Sequence, residues 1–453
     1  MAYTTTSATG AGDSRKNTTN YEHPQETNLL NIHKAMQYNV LGEPILRTTL
    51  GPTASDAFGR FRTSEPFTLF DSFHRYQDNG KAGTLTATGG TSTHDANTSA
   101  ISCTVTTASG SSVTRESLRV MAYQPGKSLL ILQTFVMAPA QANVTQRIGY
   151  FDADNGMYLE QEGTNIYFVR RSRSTSGNGS MTTTRVAKTD WNVTPLDGTG
   201  ADKITLNLAT AQIMFTEIEW LGVGSVRQGF VINGQFIPCH QWNHANETGS
   251  TSTYMTTACL PVRAEIFNTG TTAANSTMKV ICTSVISEGG YELRGHTRAI
   301  GHEITAPRTT IQAQVNTLIP MISIRLKTTR TGAVVIPTNF SFAPITSASY
   351  QYYIIGGAIT SGGTWESAGD NSSVEYNLTP TAFTANGTVL DQGYVLATNQ
   401  SSVTPDLQQY PFKFQLERNT LTSPVTCYEF VIATRTTTNQ TSQCIALGWE
   451  EIT

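Results

Sequence analysis

The chain has 453 residues, of which only 14% are charged and 38% hydrophobic, and its formal net charge is −3. So neutral a balance excludes the basic footprint that displaces counterions from nucleic-acid phosphates, and no run reaches the ~18 consecutive apolar residues of a membrane-spanning helix. The excess lies in Thr, Ser, Asn and Gly, which suit half-buried pleats and tight turns, so a nearly all-β chain with material for two cores is expected.

Residues 1–60 form an N-terminal arm, partly helical or extended and poor in apolar side chains, that cannot bury a core of its own. Leu29, Ile32 and Met36 are near helical spacing and predict one short helix there, stopped by Pro44, Gly51 and Pro52, whose apolar stripe suits assembly on a neighbouring subunit. The start of the chain lacks the basic and apolar regions of a secretory signal, so an origin in a cytosol is expected.

From 61 to 305 come about ten strand-like runs, at 128–138, 146–153, 157–162, 165–170, 204–208, 212–221, 229–231, 235–239, 262–268 and 277–287. Their spacing predicts an antiparallel two-sheet jelly roll, with Asn233-Gly234 marking a hairpin. Two Ser/Thr/Gly-rich stretches, 86–112 and 173–185, read as surface loops. Residues 295–307 read as a linker. Seven or eight further strands in 308–453 predict a second, smaller β-sandwich.

Several constellations carry potential chemistry. Glu217 and Glu219 share one strand face, as a pair serving glycoside hydrolysis could, but their bland reading is an exposed polar face. Cys239, His240 and His244 hold donor types that suit zinc, yet no second Cys/His pair at metal spacing accompanies them. Asp152 to Gly156 has the oxygen pattern of a partial calcium loop and reads better as a turn between strands. Gly222 and Gly224 precede a strand rather than open a helix, which removes the phosphate-binding reading. Arg170, Arg171 and Arg173 read as a solvated loop. The six cysteines contain no Cys-x-x-Cys pair and read as reduced thiols. Trp220 and Trp242 are candidates for stacking on a glycan, although Trp220, Trp242, Trp365 and Trp449 also suit core or interface anchors. No catalytic, metal or cofactor-binding residue can be assigned, and no cofactor is expected.

Residues 55–72 (SDAFGRFRTSEPFTLFDS), 220–230 (WLGVGSVRQGF) and 322–327 (ISIRLK) with Val334 to Pro337 resemble a group of tailed-bacteriophage virion structural proteins. The first sandwich also looks like the concanavalin-type jelly roll, and Glu217-x-Glu219 resembles the start of the Glu-x-Asp-x-x-Glu motif of jelly-roll glycanases, whose final acid is missing. The resemblance implies a non-enzymatic virion part: capsid decoration, fibre or tail accessory. It would be a homo-oligomer such as a trimer, partnered by itself and by other capsid or tail proteins, with neither nucleic acid nor membrane insertion. The alternatives are a glycan-binding host-attachment module and, more remotely, a glycan depolymerase.

Overall fold

The computed structural model describes residues 36–38, 44–46, 65–174, 180–200, 203–248, 251–310, 315–396 and 415–452. Contacts divide the chain into two units, Met1–Ser64 and Glu65–Thr453. In the first, Met36–Tyr38 is a strand paired antiparallel with Pro44–Leu46, so at Met36 the arm takes the extended form and not the helical one. Leu29 and Ile32 lie outside the described residues.

The second unit is all-β and contains a concanavalin-like jelly roll. Its strands are β1 (Phe67–Phe73), β2 (Ala82–Ala87), β3 (Thr91–Asp95), β4 (Ala100–Val105), β5 (Ser112–Ser117), β6 (Leu129–Val136), β7 (Val144–Phe151), β8 (Gly156–Glu162), β9 (Asn165–Ser172), β10 (Thr182–Ala187), β11 (Gln212–Ile218), β12 (Val226–Ile232), β13 (Gln235–Trp242), β14 (Val262–Asn268) and β15 (Ser276–Ser287). One sheet runs β10-β9-β8-β7-β14-β5-β2; the other runs β13-β12-β11-β6-β15-β4-β3, with β1 also paired to β15. Period-two alternation explains the packing: along β6, Leu129, Ile131 and Phe135 point inward to meet Ile148, Met157, Phe168, Met214 and Phe230. Burying each such side chain contributes about 1.5–3 kcal/mol.

The stretch 86–112 is not a loop. It carries β3 and β4, and Ile101, Cys103 and Val105 enter the core. Thr and Ser on the alternate positions face outward and hid this strand from a composition-based reading. Similarly, 182–187 is strand β10 rather than loop. Asn233 and Gly234 take φ of 52° and 77°, the pair of positive values that a type I′ hairpin between β12 and β13 requires. Asp152 does head a turn, its Oδ1 accepting from the Asp154 and Asn155 amides.

Across the outer face of the first sheet runs a ladder of alternating charge. Arg185 meets Glu160 at 2.8 Å, Glu160 meets Arg147 at 2.7 Å, Arg147 meets Glu265 at 3.0 Å, and Arg263 joins Glu265 to Glu116 at 2.6 and 2.8 Å. Opposite charges on directly facing strands fix the register that the β-pattern alone would leave slippery. Burial raises the proton affinity of the Glu265 carboxyl, but Arg263 and Arg147 outweigh it and hold its pKa below the usual range. Arg171, expected in a solvated loop, is instead buried on β9 and donates to the Asp152 carbonyl.

The remaining strands include β16 (His296–Gly301), β17 (Ile319–Leu326), β18 (Val334–Pro344), β19 (Ser349–Ser361), β20 (Val374–Asn377), β21 (Thr388–Leu396), β22 (Glu429–Thr436) and β23 (Ser442–Ile452). In one sheet β23 pairs with β16 and β18; in the other β20, β17, β22 and β19 follow in order, and β21 also pairs with β19. Residues 295–307 are therefore not a free linker, since β16 is a strand of the C-terminal sheet. Phe340, Phe342, Phe430 and Trp449 fill the second core, while Val334 and Ile336 belong to the first.

Candidate functional site

β11 leaves the sandwich at Ile218 and the chain turns sharply before re-entering as β12. Leu221 and Gly222 both have positive φ, 38° and 83°, and a Cβ at Gly224 would lie 2.0 Å from the Glu219 carbonyl oxygen. Only glycine permits that approach. Two side chains and one backbone amide pin the turn: the Tyr123 hydroxyl accepts from the Leu221 amide at 3.0 Å, His244 Nδ1 donates to the Gly224 carbonyl at 2.8 Å, and the Tyr254 backbone amide donates to the Gly222 carbonyl at 2.9 Å.

Beside this turn lies a polar cleft of about 430 Å³ lined by Lys127, Ser128, Glu217, Glu219, Arg227 and Gln241. Register builds it. Glu217 on β11 faces Arg227 on β12, which faces Gln241 on β13, so three strands present one row of polar side chains to solvent. Arg227 is ion-paired to Glu217. Gln241 is held by Asn192, whose side-chain amide exchanges hydrogen bonds with the Gln241 backbone at 2.8 Å each. Lys127 comes from a separate turn over 124–127 and also borders a second cleft of about 430 Å³, lined by Tyr123, Glu292, Arg294, His296 and Glu451.

The residues singled out in the sequence are distributed as follows. Glu217 and Glu219 do line one cleft, but the position of a third acid is taken by Gly222, where the backbone turns away. Trp220 packs edge-on against Tyr123, with ring centroids 5.7 Å apart, and against the first core. Trp242 is buried and donates its indole N–H to Gln228 Oε1 at 2.9 Å. Burial leaves Trp242 no face for a sugar, whereas Trp220 is half-buried. Trp449 fills the second core, and the Arg325 guanidinium covers Trp365 at 3.9 Å. Cys239, His240 and His244 do not converge. Cys239 is in the core, His240 Nδ1 accepts from the Asn192 amide, and His244 stacks on Tyr254. No group of three metal-ligating side chains occurs among the described residues.

Sequence reasoning missed Lys127, Arg227, Gln241, Tyr123 and Tyr254. Strand register joins Arg227 to Gln241, while Tyr123, Lys127 and Tyr254 arrive from connections outside the strands, so no local spacing along the chain marks them. Burial, followed by the Glu219 charge among lesser causes, raises the Tyr123 pKa; burial and the charges of Tyr123 and Glu219 raise that of Tyr254 further still. Burial lowers the pKa of His240 and, reinforced by Arg170, that of His244.

No family model and no curated protein matches the chain. Among solved structures, it is similar to a glycosyl hydrolase family protein from Mycobacterium fortuitum (9% identity, 48% of this chain, 99% of that one, TM-score 0.32). It is also similar to a Bacillus licheniformis beta-glucanase (10% identity, 49% and 99%, TM-score 0.28) and to the carbohydrate recognition domain of Emp47p (11% identity, 49% and 94%, TM-score 0.30). These are glycan-handling jelly rolls, not virion proteins, and the expectation of a tailed-phage structural part is corrected accordingly. Of the segments behind that expectation, residues 220–230 form the pinned turn and the start of β12, and 322–326 lie on the buried strand β17.

Proposed function

We propose that this protein binds carbohydrate, without hydrolysing it, in the cleft between Lys127 and Gln241. The observation that carries this reading is the row Glu217, Arg227, Gln241 on three adjacent strands, with Glu219 and Lys127 at its margins. A sugar's vicinal hydroxyls each donate and accept, and this row alternates acceptor, donor and amide at strand spacing. Leu221 and Val223, exposed on the neighbouring turn, offer apolar contact to the C–H face of a ring. Hydrolysis is left out because Glu217 is engaged by Arg227 and the third acid of a glycanase strand is replaced by Gly222.

Glycan-array binding by the purified protein tests the reading. Wild type should retain a restricted set of glycans, and Glu219→Gln or Arg227→Gln should weaken retention about tenfold, the value of a charge-assisted hydrogen bond. Absence of retention across the array, or indifference to both substitutions, would remove the cleft from consideration. Release of reducing sugar from a retained glycan would overturn the non-hydrolytic part alone.

A further inference from the structure

The polar cleft beside Glu217 has a neighbour across the turn 124–127, and the turn belongs to both. Pro125 lines the second cleft, Gly126 the first, and Lys127 the two together. Tyr123 links them again, lining the second while its hydroxyl accepts from the Leu221 amide in the turn beside the first. Proline at the second position and Gly126 at the third, with a φ of 86°, make a type II turn, closed by the Lys127 amide donating to the Gln124 carbonyl at 3.1 Å. It is tied down on both sides. The Gln124 side-chain amide exchanges hydrogen bonds with the Glu292 backbone, and Ser128 Oγ donates to Glu288 Oε2 at 2.5 Å. The crest itself is low: Pro125 and Gly126 are both exposed, one is an apolar ring, and the other has no side chain and nothing within 4 Å of where a Cβ would stand. Lys127 lays its stem on Gly289, where a Cβ would come 2.7 Å from its Cγ.

The second cleft opens where the two sandwiches meet. Its walls include His296 on β16 and Glu451 on β23, with Glu292 and Arg294 from the connection between the sandwiches. Glu451 is already satisfied, since the Ser372 hydroxyl, the Ser373 amide and the Trp449 indole all donate to it. His296 and Arg294 are exposed and present their donors to solvent. Charge balances in each cleft: Lys127 and Arg227 face Glu217 and Glu219 in the first, and Lys127 and Arg294 face Glu292 and Glu451 in the second. A balanced polar lining suits a neutral ligand rich in hydroxyls, and each cleft has the volume of a small-ligand site, about 300–1,000 Å³.

We propose that the two clefts are subsites of one groove, and that its ligand is a neutral chain of pyranoses with equatorial hydroxyls lying across the Pro125–Gly126 crest. Equatorial hydroxyls project from the rim of each ring toward the polar walls and leave its faces to C–H groups, one of which rests on Pro125. The inference rests on the carbohydrate reading and narrows it from a sugar to an extended polysaccharide that touches both sandwiches.

Isothermal titration with the disaccharide and the hexasaccharide of β-1,4-xylan and of β-1,4-glucan reads the two clefts separately. For at least one of these chains the hexasaccharide should bind wild type at least tenfold more tightly than the disaccharide. Combining Arg294→Gln with His296→Ala should weaken the hexasaccharide about tenfold, the affinity equivalent of one or two net hydrogen bonds, and leave the disaccharide as in wild type. The statistical advantage of a longer chain is the same in both proteins and cancels in that comparison. Both side chains are exposed, so the double variant should melt as wild type does. Lys127→Ala should weaken both lengths. A hexasaccharide affinity that survives the double substitution, or a disaccharide affinity that falls with it equally, overturns the continuous groove and leaves the cleft beside Glu217 standing. Retention of short terminal sugars on the array, with no affinity for either hexasaccharide, overturns it as well. Failure of both hexasaccharides together with every glycan on the array would sink the carbohydrate reading itself.

Discussion

The Arg418 guanidinium stands 3.3 Å from the Glu116 carboxylate, both side chains are 3% exposed, and the contact joins the C-terminal sandwich to the end of the jelly-roll charge ladder. Arg418 also donates to the Ser117 and Thr331 carbonyls, so its charge is held by residues from both sandwiches. Glu116→Ala would leave Arg418 and Arg263 without their shared acid. Breaking a buried pair from one side costs about 3–5 kcal/mol, whereas Glu116→Gln should cost less by preserving shape and one acceptor. Urea denaturation should show that order, and equal midpoints would mean that water already compensates the pair.

The boundary between the sandwiches predicts how fragments behave. A fragment beginning at residue 308 lacks β16, which pairs with β23 from His296 to Gly301, and exposes Val334 and Ile336 that belong to the first core. It should melt with poor cooperativity. Extending it to residue 295 should restore a cooperative transition at a lower temperature than the full chain. A sharp, unchanged melt for the shorter fragment would show that β16 is dispensable.

At the hairpin, Asn233 has a φ of 52°. Valine there places a β-branched side chain in the left-handed region, and Asn233→Val should destabilise the jelly roll by roughly 1–3 kcal/mol. Asn233→Gly should be close to neutral. A valine variant with an unaltered denaturation midpoint would show that the turn re-forms in another geometry.

Stability should fall on mild acidification. His302 Nδ1 accepts from the Ile445 amide at 3.2 Å and Nε2 donates to the Leu378 carbonyl at 3.0 Å, which specifies one neutral tautomer. Burial, the largest cause, lowers its pKa, as it does for His74, His240 and His244. Below about pH 6.5 the unfolded chain therefore binds protons that the folded one refuses, and stability declines as pH drops toward the folded pKa values. His302→Gln should make that decline shallower. Identical urea midpoints at about pH 7.5 and about pH 5.5 would contradict the assignment of these rings as buried and neutral.

What the sequence determined by itself was local. Alternation of apolar residues along β6 and the Asn233-Gly234 pair each dictate their structure through nearest neighbours, because strand periodicity and positive φ are properties of a few consecutive residues. The Thr/Ser-rich strands β3 and β4 escaped composition because small polar residues serve a pleat and a loop equally well, and Ile101, Cys103 and Val105 declare themselves only once a core exists to receive them. Tertiary structure alone decided the sites. Glu217 meets Arg227 and Gln241 through antiparallel register, and His244 stacks on Tyr254 across the connection that follows β13. Pairing between strands is set by the closure of two whole sheets on a common core, and no spacing along the chain encodes it.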